Sequence, residues 1–253
     1  GFKNLPKAEA MLSKACFEGE MSGCEDLAEL HYTGVTAVPS LDLAATLFKK
    51  SCDAEGRALS CFNYGLMREK GQGTPKNTAM ALEYYRLGCR KGADVACINL
   101  AIHYADRKET IIAKGLFHQS CDRGALVACA NLGELLRNSN HDHPDNAAAV
   151  QIFRKACDKN DGKSCRALGQ MAQEGIKVAG SMSGAIRHFE KGCQLQYGQS
   201  CYNAGFTHWI GYHIPKNPQT ALSWFAKGCS LKSASSCAGA SLAALAFKKG
   251  DPR

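Results

Sequence analysis

Alanine, aromatic and cysteine positions recur along the chain at helical spacing. Eight residues before a cysteine stands an alanine, at Ala8, Ala44, Ala81, Ala113, Ala149, Ala185 and Ala221. Four before it stands an apolar or aromatic side chain: Leu12, Phe48, Tyr85, Phe117, Phe153, Phe189 and Phe225. The cysteines that close these phrases are Cys16, Cys52, Cys89, Cys121, Cys157, Cys193 and Cys229. Such offsets place all three residues on one stripe of an α-helix. A second stripe starts at a further cysteine, at Cys24, Cys61, Cys97, Cys129, Cys165, Cys201 and Cys237, and runs through offsets +3, +4 and +7. Its +4 member is small (Ala28, Gly65, Ala101, Gly133, Gly169, Gly205, Ser241), which lets two helix axes approach closely. No period-2 alternation persists, so strands are not predicted.

The first cysteines follow one another at intervals of 36, 37, 32, 36, 36 and 36 residues, a period that means stacked repeats. Each repeat holds one helix ending at its first cysteine and another beginning near its second. Between them lies a tight polar turn such as "DKNDGKS". Between repeats lie longer loops with Gly and Pro, such as Gly71–Asn77 and Gly211–Pro218, whose prolines stand just before the next helix. The predicted fold is therefore all-α: an α/α solenoid, or superhelix, of seven helical hairpins in a single repeat domain. The expected units are 1–38, 39–75, 76–107, 108–143, 144–179, 180–215 and 216–253. Six pairs read C-x7-C and one, Cys52 and Cys61, reads C-x8-C, so its turn is expected to bulge. The third repeat is four residues short near Arg107–Thr110, where a tightened connection is expected.

Fourteen cysteines in local pairs, with none left over, mark a disulfide framework and an oxidising compartment, secreted or periplasmic. Cysteines on either side of a seven-residue turn reach bonding distance when two helices fold back on each other. The net charge is +8, but the basic residues are spread along the chain. No compact basic block is present, so nucleic acid is not an expected partner. No run of about 18 apolar residues occurs, so no membrane span is expected.

Phrases such as "FRKACDKNDGKSCRALG" (Phe153–Gly169) and "FEKGCQLQYGQSCYNAG" (Phe189–Gly205) resemble the Sel1-like repeat family, a relative of tetratricopeptide repeats. They are most similar to the Helicobacter cysteine-rich protein subgroup, with its 36-residue repeats and C-x7-C pairs. The resemblance implies a protein–protein scaffold. It also implies two alternatives: a weak β-lactam- or penicillin-binding hydrolase acting on cell-wall-type ligands such as peptidoglycan, and an assembly factor of the mitochondrial intermembrane space.

The sequence carries no S-x-x-K, K-T-G or S-D-N motif for serine β-lactam chemistry, and no H-E-x-x-H. C-x2-C and C-x4-C are absent, so the thiols do not read as zinc ligands, and no cofactor or metal is expected. His141, Asp142, His143 and Asp145 read as a solvated loop. The best candidate site lies two residues after each second cysteine, at Asp26, Asn63, Asn99, Asn131 and Asn203. Equivalent positions of a solenoid line up on one face. An asparagine ladder on a concave face can grip the backbone of an extended peptide, since each amide both donates and accepts. The other reading is that these residues cap helices or bond a neighbouring repeat. Lys70, His103 and Asn138 are expected groove neighbours, together with the +6 residues Met67 and Met171, and His208, Trp209 and Tyr212 form an aromatic cluster. The expectation is a monomeric, non-catalytic binder of a protein or extended peptide.

Overall fold

The structure is a computed structural model and describes residues 4–137 and 143–248. The described residues form fourteen α-helices and no strand. In chain order they are α1 (Leu5–Phe17), α2 (Met21–Thr33), α3 (Leu41–Glu55), α4 (Ala58–Lys70), α5 (Thr78–Arg90), α6 (Asp94–Asp106), α7 (Thr110–Asp122), α8 (Leu126–Leu136), α9 (Pro144–Asp158), α10 (Gly162–Gln173), α11 (Ala185–Gln194), α12 (Gly198–Ile210), α13 (Pro218–Ser230) and α14 (Ala234–Lys248). They pair as seven antiparallel hairpins of an α/α solenoid. The chain divides between Ser120 and Cys121, within α7, into two compact units.

Every first helix runs past its cysteine, and every second helix begins three residues before its own. The turn between them has one recurring solution. The third residue after the first cysteine takes a left-handed conformation: Gly19, Gly92, Gly124, Asn160, Gln196 and Lys232. At Gly92, with φ +99°, the next N–H, that of Ala93, returns to the Gly88 carbonyl and closes the helix end. The longer Cys52–Cys61 turn does not bulge. α3 runs to Glu55, two residues further past its cysteine than the other first helices, and only the left-handed Gly56 and then Arg57 link it to α4. The short third connection is tightened as expected. Lys108 turns left-handed, the Glu109 N–H bonds back to Tyr104, and α7 starts at the next residue.

All fourteen cysteines are paired within their own hairpins: Cys16–Cys24, Cys52–Cys61, Cys89–Cys97, Cys121–Cys129, Cys157–Cys165, Cys193–Cys201 and Cys229–Cys237, with Cα separations of 4.5–4.8 Å. Hairpins then join through the two stripes. Each second helix packs on the following first helix, as α2 on α3 and α4 on α5 in one unit, and α8 on α9, α10 on α11 and α12 on α13 in the other. The alanines of the −8 position are fully buried at these joints, and the −4 ring lies over the small +4 residue of the preceding hairpin. A Cβ on Gly133 would stand 2.5 Å from the Phe153 ring, one on Gly169 2.5 Å from Phe189, and one on Gly205 2.6 Å from Phe225. Tyr85 lies over Gly65 in the same way, and its hydroxyl donates to Glu69 at 2.8 Å. Burial, with the Glu69 hydrogen bond, pushes the Tyr85 phenol far above its ordinary pKa. It therefore stays a neutral donor. First helices start on side-chain caps where the loops supply them: Ser40 accepts from Leu43 N–H, Asn77 from Met80 and Asn217 from Thr220.

Alanine normally stabilises a helix interior over glycine by about 1 kcal/mol. Gly169→Ala should instead destabilise by about 1–3 kcal/mol, because the Phe189 ring is displaced by overpacking. Urea unfolding checks this, and a stability equal to or above that of the parent would show that the ring is not seated as described. Replacing Cys157 and Cys165 together by alanine should cost about 2–3 kcal/mol, the chain-entropy value for so small a loop. Alkylation of unreduced protein should label no cysteine. His188, half-buried on α11, is held below its ordinary 6.5 by burial, then by Arg154 of α9 and by Lys191 and Arg187, with Asp158 opposing. Below pH 6.5 the unfolded chain takes a proton that the folded chain refuses. Stability should therefore decline as pH falls from 6.5 toward the lowered value, and His188→Gln should flatten that decline in unfolding midpoints measured along a pH series.

Candidate functional site

The ladder positions fall inside the second helices, at the sixth residue of each, and not at helix ends. They therefore cap nothing. Their environments also differ. Asn99 donates from its amide nitrogen to the Val95 carbonyl of its own helix at 2.7 Å. Asn131 accepts from Lys163 of the next hairpin at 3.0 Å. Asn63 and Asn203 are half-buried and make no side-chain hydrogen bond among the described residues, while Asp26 is exposed. Lys70 is exposed and His103 half-buried, edge-on to Tyr104. Asn138, His141 and Asp142 lie outside the described residues, and His143 caps α9 through Nδ1, which accepts from Asp145 N–H at 3.2 Å. Met67 and Met171, expected beside the asparagines in a groove, are instead fully buried. At Met67 and Met171 the +6 side chain faces the core, whereas His103 at the same offset on α6 stays half-buried.

The open space lies on the adjoining stripe. Second helices of successive hairpins come together, α4 with α6 in one unit and α8 with α10, α10 with α12 and α12 with α14 in the other, whereas α9, α11 and α13 do not approach one another so closely. Between α12 and α14 the gap opens into a cavity of about 300 Å³. Tyr202, Phe206 and Trp209 form one wall, Leu242 and Ala243 the other, and buried Phe225 lies between. Tyr202 stacks on Phe206, with centroids 6.0 Å apart, and tilts against Phe225 at 5.8 Å. The cavity owes its depth to Gly239, the ladder position of α14: a Cβ there would stand 2.8 Å from the Phe225 ring. A second hollow of about 290 Å³ shares Phe206 and runs on to Gln170 and Gln173 of α10 and to Glu174 just past its end.

The same stripe changes character along the second unit. On α12 the offsets +1, +5 and +8 are Tyr202, Phe206 and Trp209. On α10 they are Arg166, Gln170 and Gln173, and on α8 the buried Ala130 and then Glu134, with Arg137 just past the helix end. Arg137 pairs with Glu134 at 3.6 Å and with Glu174, while Arg166 lies 3.9 Å from Glu134 and donates to Gln170 at 2.6 Å. Gln173 donates to Thr207 at 3.2 Å, tying α10 to α12. The face thus grades from an ionic lattice through amides to an aromatic cleft. Beside the cleft, the His208 ring meets Glu190 at 3.2 Å. The sequence signal for this site is the i, i+4, i+7 aromatic run of Tyr202, Phe206 and Trp209. Among the described residues no three His, Cys, Asp or Glu side chains gather as metal ligands would, and no helix is long and apolar enough to cross a membrane.

Disulfide-clipped helical hairpins stacked through an aromatic-on-glycine joint define a protein of the Sel1 and tetratricopeptide class. A model of the Sel1 repeat matches residues 22–55, 58–92, 126–161, 162–197 and 198–233. The chain belongs to the Sel1 repeat family. It is 29% identical over 108 residues to cytochrome c oxidase assembly factor 7 of Danio rerio, a match that takes in 40% of this chain and 47% of that protein. Its fold is similar to that of a protective antigen of uropathogenic Escherichia coli with an SLR fold, at TM-score 0.77 and 22% identity, over 95% of this chain and 56% of the other. It is also similar to a Sel1 repeat protein from Oxalobacter formigenes, at TM-score 0.73 and 17% identity, over 87% and 96%. The chain thus spans about half the length of the first two of these relatives.

Proposed function

We propose that the chain is an extracytoplasmic scaffold that binds a protein partner through an extended segment laid along the concave, second-helix face. The observation that carries this reading is the cleft of Tyr202, Phe206, Trp209 and Leu242 joined to the amide stretch of Gln170 and Gln173. Phe206 and Leu242 are 44% and 67% exposed, so an aromatic or branched apolar side chain of a partner gains burial there. The glutamines retain amide groups beyond the bonds they make within the protein, and Asn203 adds an unspent one. The paired cysteines support placement in an oxidising compartment, secreted or periplasmic.

A second reading makes the chain an assembly factor. Its support is the 29% identity to the zebrafish cytochrome c oxidase assembly factor over part of the chain. Fractionation of the source cells separates the two, since an assembly factor of the mitochondrial intermembrane space would be found in that compartment and a secreted scaffold outside the cell.

The site itself is tested by substitution. Phe206→Ser and Leu242→Asp should each weaken the binding of a peptide selected from a display library by about 30-fold, the effect of removing an anchor worth ~2 kcal/mol. Both side chains are exposed, so the melting temperature should hold. Unaltered affinity in both variants would sink the cleft as the binding site.

A further inference from the structure

The cations of this chain are spread evenly, but the carboxylates that balance them are not. Residues 1–120 hold 15 Lys or Arg and 14 Asp or Glu, while residues 121–253 hold 16 and 9. The first unit is close to neutral and the second is strongly basic. The imbalance is sharpest from Gly175 to Ser233, where six Lys or Arg stand against one carboxylate, Glu190. Glu190 already meets the His208 ring at 3.2 Å. Of the six cations only Lys191 reaches a carboxylate among the described residues, Asp158 at 3.2 Å. In the first unit Lys14, Lys49, Arg57 and Arg107 each lie beside one.

Part of this excess borders the open face of the second helices. On α10, Lys163 donates to Asn131 at 3.0 Å and meets no carboxylate among the described residues. Arg166 lies 3.9 Å from Glu134, and its Nε is buried without a partner. Lys177 and Lys216 are exposed in the loops that leave α10 and α12, shortly past Glu174 and Tyr212 of the second hollow. The apolar wall of that hollow, Phe206, Ile210 and Tyr212, is 44%, 45% and 37% exposed. α12 is packed on α13, so Phe206 stays open on a helix that is already covered by its neighbour.

We propose that the segment received by this face is acidic, with aspartates and glutamates flanking the apolar residue that seats beside Phe206. The inference rests on the groove reading above and adds the chemistry of the occupant. Exposed ion pairs are each worth little, but a surface of one sign concentrates and orients a partner of the other. A basic segment is repelled by the same field. A bare polyanion would answer the charge and leave Phe206, Ile210 and Tyr212 uncovered, so the two features together select a peptide.

Panning a random peptide library on the full chain at low salt is the test. Enriched peptides should carry more Asp and Glu than the unselected library, around an aromatic or branched apolar residue. Their affinity should fall about tenfold between about 50 mM and 1 M salt, where the screening length shrinks to about 3 Å. Lys177→Glu with Lys216→Glu should weaken them about tenfold at the lower salt. Lys7→Glu with Arg90→Glu, the same charge change at exposed positions of the first unit, should weaken them less than about twofold. Enriched peptides without an acidic excess, or equal losses from the two charge reversals, would overturn the acidic occupant. Phe206→Ser then separates the two readings: loss of binding leaves the groove standing, and unchanged binding removes the groove as well. No enriched peptide at all would overturn both. Polyphosphate that binds as tightly as the peptides, and equally well to Phe206→Ser, would replace the peptide with a bare polyanion.

Discussion

The seating of an aromatic ring on a helix surface stripped of its side chain, from one hairpin to the next, is the constraint on which the rest of this molecule depends. A two-helix hairpin has too little interior to hide its own apolar stripe. Phe153, Phe189 and Phe225 lie almost wholly buried only because Gly133, Gly169 and Gly205 let the rings rest on backbone. A glycine inside a helix costs about 1 kcal/mol against alanine. Burying a phenylalanine returns roughly 1.5–3 kcal/mol, so the exchange favours the joint. Since each hairpin touches chiefly its neighbours, the same exchange repeats along each unit.

Covalent and apolar forces divide the work. The disulfides act inside hairpins, clipping each across its turn and restricting the unfolded chain. The rings act between hairpins. The turn adapts to the clip: in six hairpins a left-handed residue three after the first cysteine closes the helix, and where Cys52–Cys61 carries one residue more, α3 lengthens by two and the turn shortens to Gly56 and Arg57. Free thiols are absent, and the pairing sits easily only where thiols oxidise.

With two stripes of each second helix committed, to the clip and to the joint, one stripe remains free to vary without harming the fold. That stripe carries the ionic lattice of Glu134, Arg137, Arg166 and Glu174, then Gln170 and Gln173, then the aromatic walls of the cleft. A surface graded from charge to apolar, on a rigid repeat, suits recognition of a segment with a polar stretch beside an apolar anchor.

Much of this was legible in the chain. Periodicity alone determined the fourteen helices, the seven cysteine pairs and the small seats at +4, because these depend on which residues share one helix face. The shortened third connection was legible for the same reason, as a deletion against a fixed period. The site was legible only in part. The +2 asparagines were visible as a row, but Asn99 and Asn131 each hold one bond within the protein, and Met67 and Met171 turn inward. The open stripe proved to be the one through Tyr202, Phe206 and Trp209. Tertiary structure alone decided this: a repeat's spacing says which side chains point together, while the angle at which hairpins pack decides which of those directions meets a neighbour and which meets a gap.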